Sequence, residues 1–298
     1  MNITIRLFTF LLLCTCTTVL ANTAMKQVTV AGAKPPQSPI MIQGPMPIEA
    51  EYFAALLDNV EQYSAGNAVF YSGYLNGYPV VVVKTGKGLE NTAAATAIGI
   101  SLYHPRIIIN QGTSGGHDPA LAVGDIVLGS RSVNASNFKT PHREAGAGSK
   151  PLDWIPMDLM ASQGSAGEGD SAAEAQKLRY YEGDKELISL AMSLQQKHSS
   201  GKVVKGTIGS GNFWNNELDR IAWLHQHLGT SVEEMESASA AQIAHAYGVP
   251  FLGIRILSNN ITNQGEYNPA TAKACQQFVK VVVEAYIRRL KGSETHAG

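Results

Sequence analysis

The sequence has little cysteine and no excess of either charge. Of its 298 residues only Cys14, Cys16 and Cys275 are cysteines. The first two fall in a segment that we predict is removed, so the remaining chain cannot form an internal disulfide and must rely on its core. With 23 Lys and Arg against 24 Asp and Glu, the net charge is −1. No electrostatic field favours a polyanion, so we predict no binding to nucleic acid or to a membrane surface.

Motifs for metal binding are also lacking. The eight histidines show no HxxxH spacing, and no CxxC pair is present. A zinc site is therefore not predicted, and the sequence gives little support for a Ser-His-Asp hydrolase.

The N-terminus is typical of an export signal. Arg6 precedes an apolar stretch over residues 7–20, and residues 19–21 (VLA) resemble a small-residue cleavage site. The apolar stretch is short for a membrane-spanning helix, although an uncleaved anchor is the alternative. We predict a signal peptide over residues 1–21, a polar tail over 22–38, and a periplasmic or secreted protein.

Strands and helices alternate through the rest of the chain. This pattern predicts a single α/β domain over residues 39–291 with a parallel or mixed sheet, followed by a tail over 292–298. Residues 137–177 are rich in Gly, Ser and Ala, and we predict a loop-rich insertion there, with Trp154 as its large anchor. The predicted strands are 39–43, 69–74, 80–84, 106–110, 123–130, 203–210 and 251–257, and the predicted helices are 47–63, 91–103, 182–197, 216–227, 236–247 and 270–290.

Residues 231–260 combine an acidic segment, a helix and a buried strand. Three carboxylates, Glu233, Glu234 and Glu236, are predicted to form a turn before the helix. Arg255 interrupts the apolar run of the following strand. Because an unpaired buried charge is costly, we expect Arg255 to pair with a carboxylate from elsewhere in the chain. Ligands of open α/β sheets lie beyond the carboxyl ends of strands, so the polar end of this strand is a candidate site.

Two glycine-rich segments follow predicted strands. Residues 85–88 (TGKG) and 112–116 (GTSGG) could bind phosphate through their backbone amides, or could be tight turns. Further polar segments, at residues 44–49, 209–214, 234–236 and 255–259, also follow predicted strands or lie at their ends.

Three stretches carry a resemblance to a known family. They are GPMPIEAE (residues 44–51), INQGTSGGHDPALAVGDIV (109–127) and EEMESASAAQIA (233–244). They resemble the purine nucleoside phosphorylase and nucleosidase superfamily over roughly residues 40–291, and in particular bacterial 5′-methylthioadenosine/S-adenosylhomocysteine nucleosidases. The resemblance implies a three-layer α/β/α fold around a twisted mixed sheet that closes partly into a barrel. It also implies N-glycosidic cleavage of a small-molecule purine nucleoside, no metal or organic cofactor, and a homodimer.

The resemblance assigns roles to particular residues. Breaking the ribose–base bond passes through an oxocarbenium-like centre, so the site must stabilise a cationic sugar and hold a nucleophile. Glu49 matches the carboxylate that deprotonates water, with Thr113 and Arg255 near it, and Glu236 matches the residue that binds the ribose hydroxyls. The other expected substrate contacts are Met235 at the sugar, Phe213 and Trp214 stacked on the purine, Tyr267 on the 5′ side, and Glu234, Ser114, Gly115 and Ser258.

Structural roles are the alternative for several of these residues. Glu49 could be present only because a carboxylate in the first turn of a helix interacts favourably with the helix dipole. Glu234 could be a solvated surface charge. Trp214 and Met235 could belong to the core.

The charged residues near these loops indicate whether the nucleophile is water or phosphate. Phosphate needs guanidinium partners, and phosphorylases of this superfamily usually carry Arg in two of these loops. Here residues 45–48 are PMPI, and Asn110 and Gln111 precede the second loop. Glu49 would also repel phosphate, so water is the predicted nucleophile.

One position departs from the family pattern. Nucleosidases that act on adenine nucleosides usually carry Asp where this chain has Asn259, and the Asp gives a proton to purine N7. An amide donates a hydrogen bond but not a proton, so general-acid assistance of about 10²–10⁴-fold is absent. Three explanations follow: preference for a 6-oxopurine or futalosine-type nucleoside, slow cleavage, or a nucleoside-binding or storage protein.

Overall fold

Apolar runs of the sequence form the strands of a mixed sheet in a computed structural model, which describes residues 37–162, 176–260 and 264–295. Ten strands of the described chain belong to this sheet, in the order β11-β6-β12-β13-β5-β1-β4-β3-β2, with β14 pairing to β5 and β6. Their bounds are β1 Ile40–Gly44, β2 Asp58–Ala65, β3 Ala68–Leu75, β4 Tyr78–Lys84, β5 Ile107–Gly116, β6 Ile126–Asn134, β11 Tyr180–Glu182, β12 Val203–Ser210, β13 Thr230–Glu234 and β14 Phe251–Asn259.

Part of the sheet closes on itself. Strand β14 pairs in parallel with β5 and antiparallel with β6. Strand β12 joins β6 to β13, and β13 returns to β5. These five strands form a ring, which is the partly closed barrel that the family resemblance implies.

Helices cover both faces of the sheet. They are α1 Pro47–Ala54, α2 Leu89–Tyr103, α3 Lys185–Ser193, α4 Leu218–Leu228, α5 Ser237–Ala246 and α6 Ala270–Thr295. Side chains alternate along β1, so Ile40 and Ile42 pack with α1, α3 and α6, whereas Met41 packs with α2 and α5. The three-layer α/β/α prediction is therefore confirmed. None of the helices in the described chain is long and apolar enough to span a membrane.

The helix predicted over residues 47–63 is wrong in its second half. Helix α1 ends at Ala54, and Asp58–Ala65 pairs antiparallel with β3 as an edge strand. Asn59 adopts a positive φ of 52°, which a helix does not allow. Val60, which falls within the predicted helix, lies in β2 and is 45% exposed.

Two segments predicted as turns are strands. Residues 112–116 continue β5, and the acidic segment before α5 includes β13. The glycines there serve close packing: a Cβ on Gly112 would lie 2.7 Å from Oε1 of Glu49. The glycine therefore makes room for a side chain and does not turn the chain.

The insertion has an aromatic anchor in its described part. Trp154 and Phe138 have ring centroids 5.9 Å apart, and the Arg220 guanidinium of α4 lies 4.6 Å from the Phe138 ring centroid. Short strands β7 Phe138–Lys139 and β8 Ile155–Pro156 pair there, as do β9 Leu159–Ser162 and β10 Gln176–Leu178. Residues 163–175 of the insertion, the predicted signal peptide and most of the N-terminal tail lie outside the described residues.

Candidate active site

One cavity brings together nearly all of the residues predicted for the site. It lies where β5, β13 and β14 end and α1 begins. Among the predicted catalytic residues Glu49, Thr113 and Asn259 line it. The predicted substrate contacts all line it as well: Glu236, Met235, Glu234, Phe213, Trp214, Ser114, Gly115, Ser258 and Tyr267.

Glu49 is held in the first turn of α1 by two backbone amides. Its Oε2 accepts a hydrogen bond from the Met46 amide at 3.1 Å, and its Oε1 accepts one from the Thr113 amide at 3.2 Å. Glu49 thus caps its helix and also lines the cavity. Burial raises the pKa of the Glu49 carboxyl, although the charge of Arg255 and the two amides oppose the shift. A carboxylate with a raised pKa is a stronger base toward water.

Glu236 also lines the cavity, at the start of α5. Its Oε1 accepts a hydrogen bond from the Gly88 amide at 3.0 Å, and its Oε2 accepts one from the Met235 amide at 3.3 Å. Burial, and then the neighbouring charge of Glu234, raise the pKa of Glu236 to about 8. The Gly88 amide was a candidate phosphate ligand in the sequence, and in the structure it donates to a carboxylate instead.

Arg255 lies near Glu49, as predicted, close enough for its charge to lower the pKa of that carboxyl. It is completely buried and does not line the cavity. Its Nε donates to Oε2 of Glu234 at 3.1 Å, and its Nη2 donates to Oδ1 of Asn110. The expectation of a carboxylate partner is confirmed, and the partner is Glu234. Arg255 therefore acts from behind the site, through its charge.

Glu234 binds the Arg255 guanidinium and the backbone amides at the start of α5. Besides Arg255, its oxygens accept from the amides of Glu236 and Ser237 and from the hydroxyl of Ser210. A buried carboxylate with these partners is not a solvated charge. Because its oxygens are engaged, we assign Glu234 to holding the site together and not to holding substrate.

Aromatic side chains form the open wall of the cavity. Trp214 is 62% exposed, so the core alternative for this residue is wrong. Phe213 and Met235 are half-buried beside it, and Tyr267 is exposed. Aromatic faces at a cavity mouth suit stacking against a flat base.

Ser114 is not a nucleophile. Residues 112–116 match the GxSxG motif, but a nucleophile elbow requires a sharp turn from strand to helix. Ser114 lies within β5, and its hydroxyl donates to the carbonyl of Ile256 at 3.1 Å. The Oγ of Ser258 lies 2.8 Å from Oδ1 of Asn259, so Ser258 orients the amide that replaces the expected acid.

The sequence did not reveal several residues of the site. Lys87 lines the cavity, and Asn212 accepts a hydrogen bond from the Leu89 amide at 2.9 Å. Glu233, known only as part of an acidic run, faces His117 at 2.8 Å between Oε2 and Nε2. The alternation of side chains along β13 could have separated the role of Glu233 from that of Glu234, but only if the segment had first been recognised as a strand. Among the described residues, no three His, Cys, Asp or Glu side chains are grouped so as to hold a metal ion.

Comparison with known proteins agrees with this architecture. A protein-family model described as the phosphorylase superfamily matches residues 39–288. A Bacillus cytotoxicus protein named 5′-methylthioadenosine/S-adenosylhomocysteine nucleosidase is 29% identical over 252 residues, which cover 82% of this chain and 98% of that protein.

Solved structures share the fold. A 5′-methylthioadenosine/S-adenosylhomocysteine nucleosidase from Neisseria meningitidis, in complex with methylthio-immucillin-A, aligns with a TM-score of 0.66 and 24% identity, covering 84% of this chain and 100% of its own. The futalosine hydrolase of Helicobacter pylori aligns with a TM-score of 0.64 and 21% identity, covering 83% and 97%. With the family model extending over nearly the whole described domain, the chain belongs to the phosphorylase superfamily.

Proposed function

We propose that the protein hydrolyses the N-glycosidic bond of purine nucleosides of the 5′-methylthioadenosine and S-adenosylhomocysteine type and releases the free base. The observation that carries this proposal is the pair of buried carboxylates, Glu49 and Glu236, which line one cavity beside the exposed ring of Trp214. Both have a raised pKa, a property that is common at catalytic sites. The family membership and the names of the relatives support the same reaction.

Each side chain has a role in the reaction. Trp214 stacks on the purine while Glu236 accepts hydrogen bonds from the ribose hydroxyls. Glu49 takes a proton from water as the water oxygen bonds to C1′ and the bond from C1′ to N9 breaks. The bonding electrons pass to the purine, which takes up a proton from solvent. Asn259 donates a hydrogen bond to N7 and so stabilises the charge on the departing base.

Water is favoured over phosphate by the amides around the cavity. The Gly88 amide binds Glu236, the Leu89 amide binds Asn212, and the Thr113 amide binds Glu49. A phosphate would have to displace these partners and approach two acidic side chains. The fully buried Arg255 cannot reach it.

A nucleoside panel tests the proposal. Purified protein should release free base from at least one of 5′-methylthioadenosine, S-adenosylhomocysteine, inosine and futalosine without added phosphate. Tight binding without release from any of these would favour the alternative of a binding or storage protein.

We also propose that the protein works outside the cytoplasm as a homodimer. The apolar stretch at residues 7–20 and the predicted cleavage site support export, and the family resemblance supports the dimer. Mass spectrometry of the protein from its native envelope fraction should find an N-terminus near Asn22. A full-length cytoplasmic protein, or a monomer in sedimentation, would contradict these two proposals respectively.

A further inference from the structure

The lining of the active-site cavity divides into buried and exposed residues. Glu49, Glu236 and Asn259 are buried, and they act on the base, C1′ and the ribose hydroxyls in the proposed reaction. The exposed lining residues, which form the rim of the cavity in the described chain, are Met46, Lys87, Trp214 and Tyr267. Lys87 carries the only charge among these four, and the reaction above has no role for it.

The backbone around Lys87 is fixed on both sides. Gly86 and Gly88 have φ angles of 78° and 105°, conformations that favour glycine. The Lys87 carbonyl accepts a hydrogen bond from Nδ2 of Asn91 at 2.8 Å, and the Gly88 amide donates to Glu236 at 3.0 Å. Lys87 is therefore held one residue away from the amide that binds the proposed ribose ligand.

The Lys87 ammonium is left without a carboxylate partner. Glu90, three residues further along the chain, accepts instead from Nδ2 of Asn212 at 2.6 Å, and this hydrogen bond lowers the pKa of the Glu90 carboxyl. The oxygens of Glu236 accept from backbone amides. No carboxylate of the described residues lies within ion-pair distance of the Lys87 ammonium, so the ammonium is available to an anionic ligand.

A long 5′ substituent must reach this rim. The base and C1′ occupy the buried part of the cavity in the proposed reaction, so a chain attached to the 5′ carbon extends toward the opening. Its methylene and thioether groups can pack against Met46 and Tyr267. A carboxylate at the end of the chain can form a charge-assisted hydrogen bond with the Lys87 ammonium. A methylthio group is uncharged and gains nothing from this contact.

We propose that Lys87 binds a carboxylate on the 5′ substituent and so favours nucleosides whose 5′ substituent is anionic. This inference rests on the proposed function and names the class of 5′ substituent that the same site selects. Two kinds of nucleoside carry such a carboxylate. One has an α-amino acid at the end of the substituent, as in S-adenosylhomocysteine, and the other has a benzoate, as in futalosine.

The test compares each acid with its methyl ester, which lacks the negative charge. In the parent protein, kcat/KM should be higher for S-adenosylhomocysteine than for its methyl ester by roughly twofold to fivefold at low ionic strength, the size of an exposed ion pair. Added salt should reduce this ratio. The same comparison with futalosine and its methyl ester distinguishes the two sources of the carboxylate.

Substitutions of Lys87 test whether its charge produces the ratio. Lys87→Met should bring the ratio of acid to ester close to one, and Lys87→Arg should retain the preference. Lys185→Met, an exposed change at the start of α3 that removes the same charge, is the matched control and should keep the parent ratio. A parent ratio of one for both pairs, or a ratio that Lys87→Met does not change, would overturn the inference and leave the hydrolase proposal standing.

The inference and the hydrolase proposal fail in different ways. Release of base from 5′-methylthioadenosine or inosine but from neither acid would overturn the inference alone. If the parent protein releases base from no nucleoside of the panel, the hydrolase proposal fails instead. Calorimetry with the same acids and esters then tests Lys87 by itself. Tighter binding of an acid than of its ester in the parent but not in Lys87→Met would support the inference, and equal binding or none would overturn it.

Discussion

The backbone amide of Gly88 donates a hydrogen bond to Oε1 of Glu236 over 3.0 Å. This contact joins the start of α2 to the start of α5, two elements far apart in the sequence. The Glu236 carboxylate lies at the N-terminus of α2, a position where glycine-rich loops of other proteins can bind an anion. It accepts a hydrogen bond from a backbone amide that has no partner within the helix. The same contact connects the stability of the fold to the ionisation of the site.

Stability should fall as pH rises, through Glu236. Its pKa rises from 4.5 to about 8 on folding, so between those values the folded chain keeps a proton that the unfolded chain has released. This contribution is fully present below 4.5 and lost as pH rises through about 8, at up to ~1.4 kcal/mol per pH unit. In Glu236→Gln it is absent, so the variant should gain stability relative to the parent across that window. Parallel curves of unfolding free energy against pH would contradict the assignment.

Glu49→Gln should keep the fold and lose turnover. Glutamine can still accept a hydrogen bond at the start of α1, but it cannot take a proton from water. We expect kcat to fall by about 10²–10⁴-fold with nucleoside affinity retained, measured by single-turnover kinetics and calorimetry. Glu51→Gln, an exposed change two residues further along α1, is the control and should behave like the parent. Turnover near the parent's in Glu49→Gln would remove Glu49 from the mechanism.

In the parent protein, base release should fall at acidic pH. Because burial raises the pKa of Glu49, kcat/KM should decline with an apparent pKa above 4.5. A rate that stays constant down to pH 4.5 would mean that another group accepts the proton.

Removing Arg255 should destabilise the protein strongly. Arg255→Met leaves Glu234 buried without its charge partner, and breaking such a pair costs about 3–5 kcal/mol. Denaturant unfolding measures the loss, and adding Glu234→Leu should recover part of it. Lys280→Met, which breaks the more exposed pair with Glu284, should cost less than about 1 kcal/mol. Equal losses for the two Met variants would contradict the structural role of Arg255.

Asn259→Asp should raise adenine release. A carboxyl group at this position can give a proton to N7, which the amide cannot. We expect the gain with 5′-methylthioadenosine to exceed the gain with the 6-oxopurine analogue, in a comparison of kcat/KM for the two. A loss with both substrates would show that Asn259 is required as an amide.

The sequence predicted the buried strands more accurately than the polar ones. Residues 203–210 form β12 with the predicted bounds because Val203, Val204 and Ile208 mark a largely buried strand, although the exposed Lys205 interrupts the apolar residues. The edge strand β2 was missed because its residues are almost all exposed, so no apolar alternation marks them. Its structure depends on pairing with β3, which a local pattern does not encode.

The same limit applies to the site. Because a buried Arg255 needs a charge partner, a carboxylate partner could be predicted from the sequence. Which carboxylate it would be depended on β13, whose alternation turns Glu234 toward Arg255 and Glu233 toward His117. The partners come from strands distant in sequence, so the roles of neighbouring glutamates could be separated only in three dimensions.

Hydrolysis is distinguished from phosphorolysis most directly by following base release while the phosphate concentration is varied. The sugar product is identified by phosphorus NMR and mass spectrometry at each phosphate concentration. Hydrolysis predicts a rate independent of phosphate and a free sugar as the sole product. A rate that requires phosphate, with sugar 1-phosphate as the product, would contradict it.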